Sequence, residues 1–271
     1  SQMLYPIELQ AHKMYKVSVH IYIIVSIMET VTILKTEIAV TDVEKVCEDL
    51  IIKSNLSVAI CNANTLVRCY RDEKLKDILN SFDINCPDGF PVAKSSSILY
   101  KNYQKRVDGY NIFLNTIRKG LQKNTSHYFF GNEDEVTKKM IKEIKIMFPQ
   151  ANILGYKCPP IKNANELASE EFLEDMLKLN PDIVWVSLGF PKQEIFIDIL
   201  KNKNILKSNF VGIGAVFAWV AGTRYKAPEV VANMGFEWLL RLFQEPKRLA
   251  KRYFVDNFLY IIYFMKQYFI K

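Results

Sequence analysis

The stretch HYFFGNEDEVTKKMIKEIKIMFP, residues 127 to 149, decides the fold. An apolar run ends at Gly131, a polar turn follows, and an amphipathic helix carries the chain on, so the segment reads as strand, glycine turn, helix. The same unit recurs on both sides. Upstream, ETVTILKTEIAV (29–40) reads as extended and TDVEKVCEDLIIKS (41–54) as a helix with Thr41 as its cap. SVAICNAN (57–64) is a short apolar strand, TLVRCYRDEKLKDILNSF (65–82) is helical, and DINCPDGF (83–90) returns to strand and turn. Downstream come ANILGY (151–156), a helix near 164–179, the strand DIVWVSLG (182–189), a helix from Lys192, and the strand NFVGIGAVF (209–217). Strands alternating with helices predict an α/β fold built of βαβ units, with a parallel sheet flanked by helices.

In such a sheet, ligands bind beyond the carboxyl ends of the strands. CNAN, PDG, FFGN, SLGFPKQE and GIGAVF each follow an apolar strand, so together they predict one cleft lined by strand ends. Asp88, between Pro87 and Gly89, reads either as a turn former that caps local amides or as a general base aimed into the cleft. The motif by itself leaves both open. Asn62 and Asn64 either end a strand or orient sugar hydroxyls. Gly189 and Pro191 shape a turn, and Lys192, Gln193 and Glu194 begin a helix whose N-terminus suits an anion such as a diphosphate. Glu194 also fits there as a first-turn acid, whereas Gln193 has no evident structural reason. The acids of GNEDE (131–135) read as caps and dipole partners of a helix start rather than as metal ligands. Neither G-x-x-x-x-G-K-[ST] nor G-x-G-x-x-G occurs, which argues against dinucleotide binding.

The 271 residues carry a formal net charge of +7, so an anionic partner is expected. The basic residues show no aromatic-interleaved groove, and nucleic acid is therefore not the expected partner. The 5 cysteines include no C-x-x-C pair, and the 3 histidines are dispersed, which argues against a disulfide framework or a zinc site. VSVHIYIIVSIM (17–28) is too short to span a bilayer and is read as a buried strand or an upstream extension. In the tail, a basic cluster of Lys247, Arg248, Lys251 and Arg252 precedes Phe254, Phe258, Ile261, Ile262, Met265 and Phe269 at helical spacing. Tyr253, Tyr260, Phe264 and Tyr268 widen that face. This helix either packs on the core or a second subunit, or lies at a membrane interface; Asp256 and Asn257 argue against a span.

The ordered motifs NAN, PDG, RVDGYN (106–111), GFPKQE (189–194), AGTRYKAPE (221–229) and GFEWLLRLFQEPKRLAKRY (235–253) resemble the WecG/TagA/CpsF bacterial glycosyltransferases over about residues 30–255. The resemblance implies a Rossmann-like core and a C-terminal membrane-docking appendage. It divides the chain into an N-terminal extension (1–27), a catalytic domain (28–235) and a helical appendage (236–271). It implies inverting, metal-independent transfer of a sugar from a UDP-sugar to a polyprenyl-diphosphate-linked sugar in cell-surface polysaccharide synthesis. The donor sugar would be N-acetylmannosamine, its uronic acid or glucose, and no cofactor is implied. Asp88 matches the family's base. Asn62, Arg106 and Gln193 match donor contacts, and Asn64, Gly89, Asn111, Gly189, Lys192, Glu194 and Phe217 complete the expected donor-binding set. Arg241, Arg248 and Arg252 match arginines placed near the lipid diphosphate. The implied location is cytoplasmic, peripheral on the inner face of the membrane; a homo-oligomer is left open. Four positions depart from the family's pattern: Ile60 for a threonine, Asn111 for an acid, Ala218 for the aspartate of F-D, and Lys226 for the arginine of R-A-P. They cluster where donor contacts are expected. A rival reading is a non-catalytic subunit that binds a nucleotide-sugar or a lipid carrier.

Overall fold

A computed structural model describes residues 28–101 and 103–270, without the side chains of 248 and 250–253 in its last helix. The expectations for residues 1–27 lie outside the described residues. The chain opens with a hairpin, β1 (Thr30–Ile33) and β2 (Thr36–Ala39), paired antiparallel and separate from the main sheet. Its turn residues Leu34 and Lys35 both have positive φ, 48° and 65°. Then follow α1 (Val43–Ile52), β3 (Ser57–Cys61), α2 (Ala63–Arg71), α3 (Glu73–Asn80) and β4 (Ile84–Pro87). Next are α4 (Phe90–Tyr100), α5 (Gly109–Gly120), β5 (Ser126–Gly131), α6 (Asp134–Met147) and β6 (Asn152–Lys157). The order continues with α7 (Ala164–Leu167), α8 (Glu170–Leu179), β7 (Ile183–Ser187), α9 (Lys192–Lys203) and β8 (Asn209–Gly212). Four helices close the chain: α10 (Val216–Val220), α11 (Glu229–Asn233), α12 (Glu237–Gln244) and α13 (Pro246–Ile270).

Strands β3 to β8 form a 6-stranded, all-parallel sheet in the order β4-β3-β8-β7-β5-β6. Both faces are covered, so the strands are mainly apolar and successive side chains enter opposite layers. In β5, Phe130 packs with Phe196 at a ring distance of 4.6 Å on one side, while Phe129 meets Phe217 at 5.6 Å on the other. In β7, Val184 and Val186 join the first layer, and Ile183 and Trp185 the second. α2, α3, α7, α8 and α9 cover the first face; α1, α5, α6 and α10 cover the second.

Two helix starts differ from expectation. The α1 cap is Asp42, whose side chain accepts from Lys45 N, and not Thr41. The segment read as one helix over 65–82 breaks at Asp72, which caps α3 by accepting from Leu75 N. Polar side chains at a helix start compete with continued helix by binding backbone amides, and a one-residue shift in which side chain does so moves the boundary.

The second layer holds a buried imidazole. Trp185 Nε1 donates to His127 Nδ1 at 3.2 Å, and burial lowers the His127 pKa from 6.5 to about 4. A depressed histidine pKa favours the neutral form in the folded state, while the unfolded chain takes up a proton near 6.5. Stability is therefore expected to fall as pH drops from about 6.5 to 4, by about 3 kcal/mol from this group. Urea titrations across that window should show the slope, and His127→Phe should flatten it. An equally steep slope in that variant would assign the loss to other groups.

Candidate functional site: a cleft at six strand ends

The carboxyl ends of all six strands open into one cleft of about 620 Å³, a size suited to a nucleotide-sugar. Asn62 follows β3 and Asp88 follows β4; Asn132 and Glu133 follow β5, and Pro159 to Ile161 follow β6. Ser187 to Gln193 come from β7 and its turn, and Gly212 to Val216 from β8. The last two helices, α12 and α13, and the residue between them complete the lining with Glu237, Arg241, Gln244, Glu245 and Leu249.

Asp88 is fixed by its backbone, with N donating to Cys61 O at 2.9 Å, and Gly89 next to it takes φ +78°, a left-handed value that favours glycine. Neither carboxylate oxygen of Asp88 has a hydrogen bond among the described residues, and the nearest cation, Arg106 Nη1, stands 4.0 Å away. A local amide cap would tie those oxygens to backbone N–H groups, so the geometry departs from the turn-forming reading. Burial first, and then the neighbouring Glu237 carboxylate, raise the Asp88 pKa to about 7 against the opposing charge of Arg106. The result is a half-buried carboxylate that titrates near neutrality and opens to the cleft.

Arg106 is shared among three acids. Its Nη1 donates to Glu237 Oε2 at 2.8 Å, and its Nη2 lies 3.5 Å from Asp108 Oδ2. Asn111, in the first turn of α5, donates from its backbone N and from Nδ2 to the Asp108 carboxylate. Nearby, Arg241 stands over the Trp219 ring at 4.4 Å, and Lys226 over the Tyr110 ring at 4.4 Å. Lys192, Arg224, Lys226 and Arg241 thus bring positive charge to the same cleft.

Gln193 lines the cleft and also clamps it. Its Oε1 accepts from Gly189 N and from Gly214 N, both at 3.2 Å, joining the turns after β7 and β8. Its Nε2 donates to Glu194 Oε1 at 2.9 Å, and a Cβ on Gly212 would lie 2.9 Å from that nitrogen. Glycine at 212 leaves room for the clamp.

The family description Glycosyl transferase WecG/TagA/CpsF family matches residues 31–271. The chain belongs to that family. It is similar to an N-acetylglucosaminyldiphosphoundecaprenol N-acetyl-beta-D-mannosaminyltransferase of Bacillus spizizenii strain W23, 29% identical over 204 residues, 74% of this chain and 77% of the relative. A protein of the same name from Bacillus subtilis strain 168 is 26% identical over 191 residues, 70% of this chain and 72% of the relative.

In this WecG/TagA/CpsF member, Asn62, Asp88, Arg106, Gly189, Lys192, Gln193 and Arg241 meet at the cleft. Other residues expected there do not line it. Phe217 is fully buried between Phe113 and Phe129, because helix α10 turns it into the second core layer. Asn64 is buried on α2, and its Nδ2 donates to Asp256 of α13, so it fastens the last helix. Glu194 is only 1% exposed, its Oε2 has no hydrogen-bond partner among the described residues, and burial raises its pKa to about 7. It backs Gln193 rather than facing a ligand. Asn111 lines a separate groove beside α1 and supports Asp108. Gly89 acts through its backbone. Arg248 and Arg252 lie on α13, with side chains outside the described residues. Gln193, for which the sequence offers no structural reason, has one in the clamp.

The site residues missed by sequence reasoning are Asp108, Trp219, Arg224 and Glu237. Asp108 and Glu237 stand inside the quoted motifs RVDGYN and GFEW, but a motif does not say that their side chains converge on Arg106. Trp219 lies on α10, well past the end of β8, and belongs to none of the quoted family motifs. Of the four departures, Ile60 and Ala218 line the cleft with apolar surface, and Lys226 retains a cation there.

Proposed function

We propose that this chain transfers a sugar from a UDP-sugar to a sugar carried on a polyprenyl diphosphate, by a single displacement that inverts the anomeric carbon. The reading is supported by the family, by the activity named for the two relatives, and above all by Asp88, whose carboxylate has no hydrogen bond among the described residues and titrates near neutrality. The acceptor hydroxyl gives its proton to Asp88 as its oxygen attacks the anomeric carbon, and the bond to UDP breaks on the opposite face. An alcohol is far too weak an acid to ionise first, so the base acts as the new bond forms. Lys192, Arg224, Lys226 and Arg241 offset the charge that grows on the departing diphosphate, and the N-terminus of α9 adds its dipole. No metal ion is assigned a part in this scheme. The donor is N-acetylmannosamine, the sugar named for both relatives, with its uronic acid and glucose as the alternatives to compare.

The acceptor's lipid brings the reaction to a membrane surface on the cytoplasmic side, and α13 is the docking element. One side of it packs on the core: Tyr263 meets Tyr70 in a tilted ring contact at 4.4 Å, and Tyr260 OH donates to Ser95 Oγ at 2.8 Å. Gln267 holds the hairpin through Leu34 N and Thr32 O. The other side leaves Phe254, Phe258, Ile261, Met265 and Phe269 exposed in one stripe. No helix among the described residues is long and apolar enough to cross a membrane.

Radiolabelled UDP-N-acetylmannosamine, its uronic acid and UDP-glucose, each with a short polyprenyl-diphosphate N-acetylglucosamine acceptor, test the assignment. N-acetylmannosamine should move to the lipid fastest. Tight donor binding with no transfer from any of the three would favour a non-catalytic binding subunit instead.

A further inference from the structure

Three carboxylates crowd one guanidinium in the cleft, and they do not share it equally. Glu237 takes the Arg106 Nη1 hydrogen bond at 2.8 Å; Asp108 stands at 3.5 Å and Asp88 at 4.0 Å. At 4.0 Å a carboxylate has lost the hydrogen bond and keeps only the charge attraction. The Arg106 side chain is 7% exposed, so the attraction is poorly screened. A shift of about 1 Å would carry Nη1 from Glu237 to hydrogen-bonding distance of Asp88. Asp108 cannot play the part of Glu237, because Asn111 already holds its carboxylate against α5. Glu237 is not on the sheet at all. It begins α12, and the same helix carries Arg241, whose Nε lies 3.6 Å from Glu237 Oε1.

We propose that Glu237, delivered by the appendage, is a positioning residue that draws the Arg106 guanidinium off Asp88 and so leaves that carboxylate free to accept the acceptor's proton. The inference rests on Asp88 being the base of the proposed reaction. A carboxylate locked to arginine typically loses about 1 to 3 pKa units and with them its strength as a base. The direction agrees with the raised pKa of Asp88, to which the Glu237 carboxylate contributes. The groups that face Asp88 are Arg106 and Asp108 from the loop before α5, and Glu237 and Arg241 from α12. Cys61 and Cys86 of β3 and β4 also lie near, both held as thiols by burial. Of the acids and cations in this set, only Glu237 and Arg241 come from the appendage. The device therefore ties the chemistry to a docked appendage: with α12 away, Arg106 closes on Asp88.

The test reads Asp88 directly. In protein carrying ¹³C at aspartate carboxyls, with Asp88→Asn to assign the signal, Glu237→Gln is expected to lower the Asp88 pKa by about one unit or more. Glu237→Ala should shift it the same way, so the result does not hang on one folded variant, and Glu237→Asp should restore part of the wild-type value. The acid limb of the kcat/KM profile should move to lower pH in step, with a lower plateau. An Asp88 titration that stays put in both Glu237→Gln and Glu237→Ala overturns the inference. The titration decides this even if no sugar is transferred, whereas absence of transfer with a shifted titration would fault the proposed reaction and leave the Glu237 device standing.

Discussion

Asp88→Asn is expected to lower sugar transfer by about 100- to 10,000-fold, the usual contribution of a positioned general base. Asparagine keeps the shape of the turn and the Asp88 N to Cys61 O bond, which is a backbone contact. The fold should therefore persist, and UDP-sugar binding should change little, because no hydrogen bond to the carboxylate is lost with it. The loss should appear in kcat. Wild-type kcat/KM should rise with pH and level off above about 7. The sign follows from the raised pKa, since the base form of Asp88 accumulates only as pH passes that value. The variant should lose that limb. A variant that binds donor normally and still transfers at near the wild-type rate would remove Asp88 from the chemistry.

The second large effect concerns the exposed stripe of α13. Replacing Phe258, Ile261 and Met265 together by glutamate should abolish sedimentation with anionic vesicles. Each large apolar side chain contributes about 1.5 kcal/mol or more when fully buried. Even partial immersion of three makes a loss of about 100-fold or more in partitioning, before the added negative charge repels an anionic surface. Deleting the helix would be a poorer experiment. Tyr260 is 3% exposed, and Leu259, Tyr263 and Phe264 pack against the first core layer, so truncation would unseat the fold as well. The stripe variant leaves those contacts alone and should melt near the wild-type temperature. Unchanged vesicle binding would assign the stripe to some other partner.

The alternation of strand and helix was legible because the strands are short, mainly apolar runs and each covering helix shows one apolar side. The strand order was not. β8, the last strand, inserts between β3 and β7, and that pairing joins Val58 to Val211, residues far apart in the chain. The hairpin read as one extended run because its turn is Leu34–Lys35. Positive φ at both positions normally calls for asparagine or glycine. Here the tertiary structure overrides that preference: Leu34 is buried, and its N–H donates to Gln267 from the far end of the chain.

The site divides the same way. Asp88 and Lys192 were legible because proline, glycine and a helix start mark the ends of their strands. Glu237 was not, since its role exists only once the appendage folds back on Arg106. Gln193 was singled out for lack of a structural role, which the two glycine amides it accepts from now supply. Phe217 followed a glycine-rich strand end, but one helical turn is enough to swing a side chain from cleft to core.

The most direct test of the single displacement is the anomeric configuration of the lipid-linked product made from the best donor, read by NMR. A configuration opposite to that of the sugar in the UDP donor is predicted; a retained configuration would contradict the account.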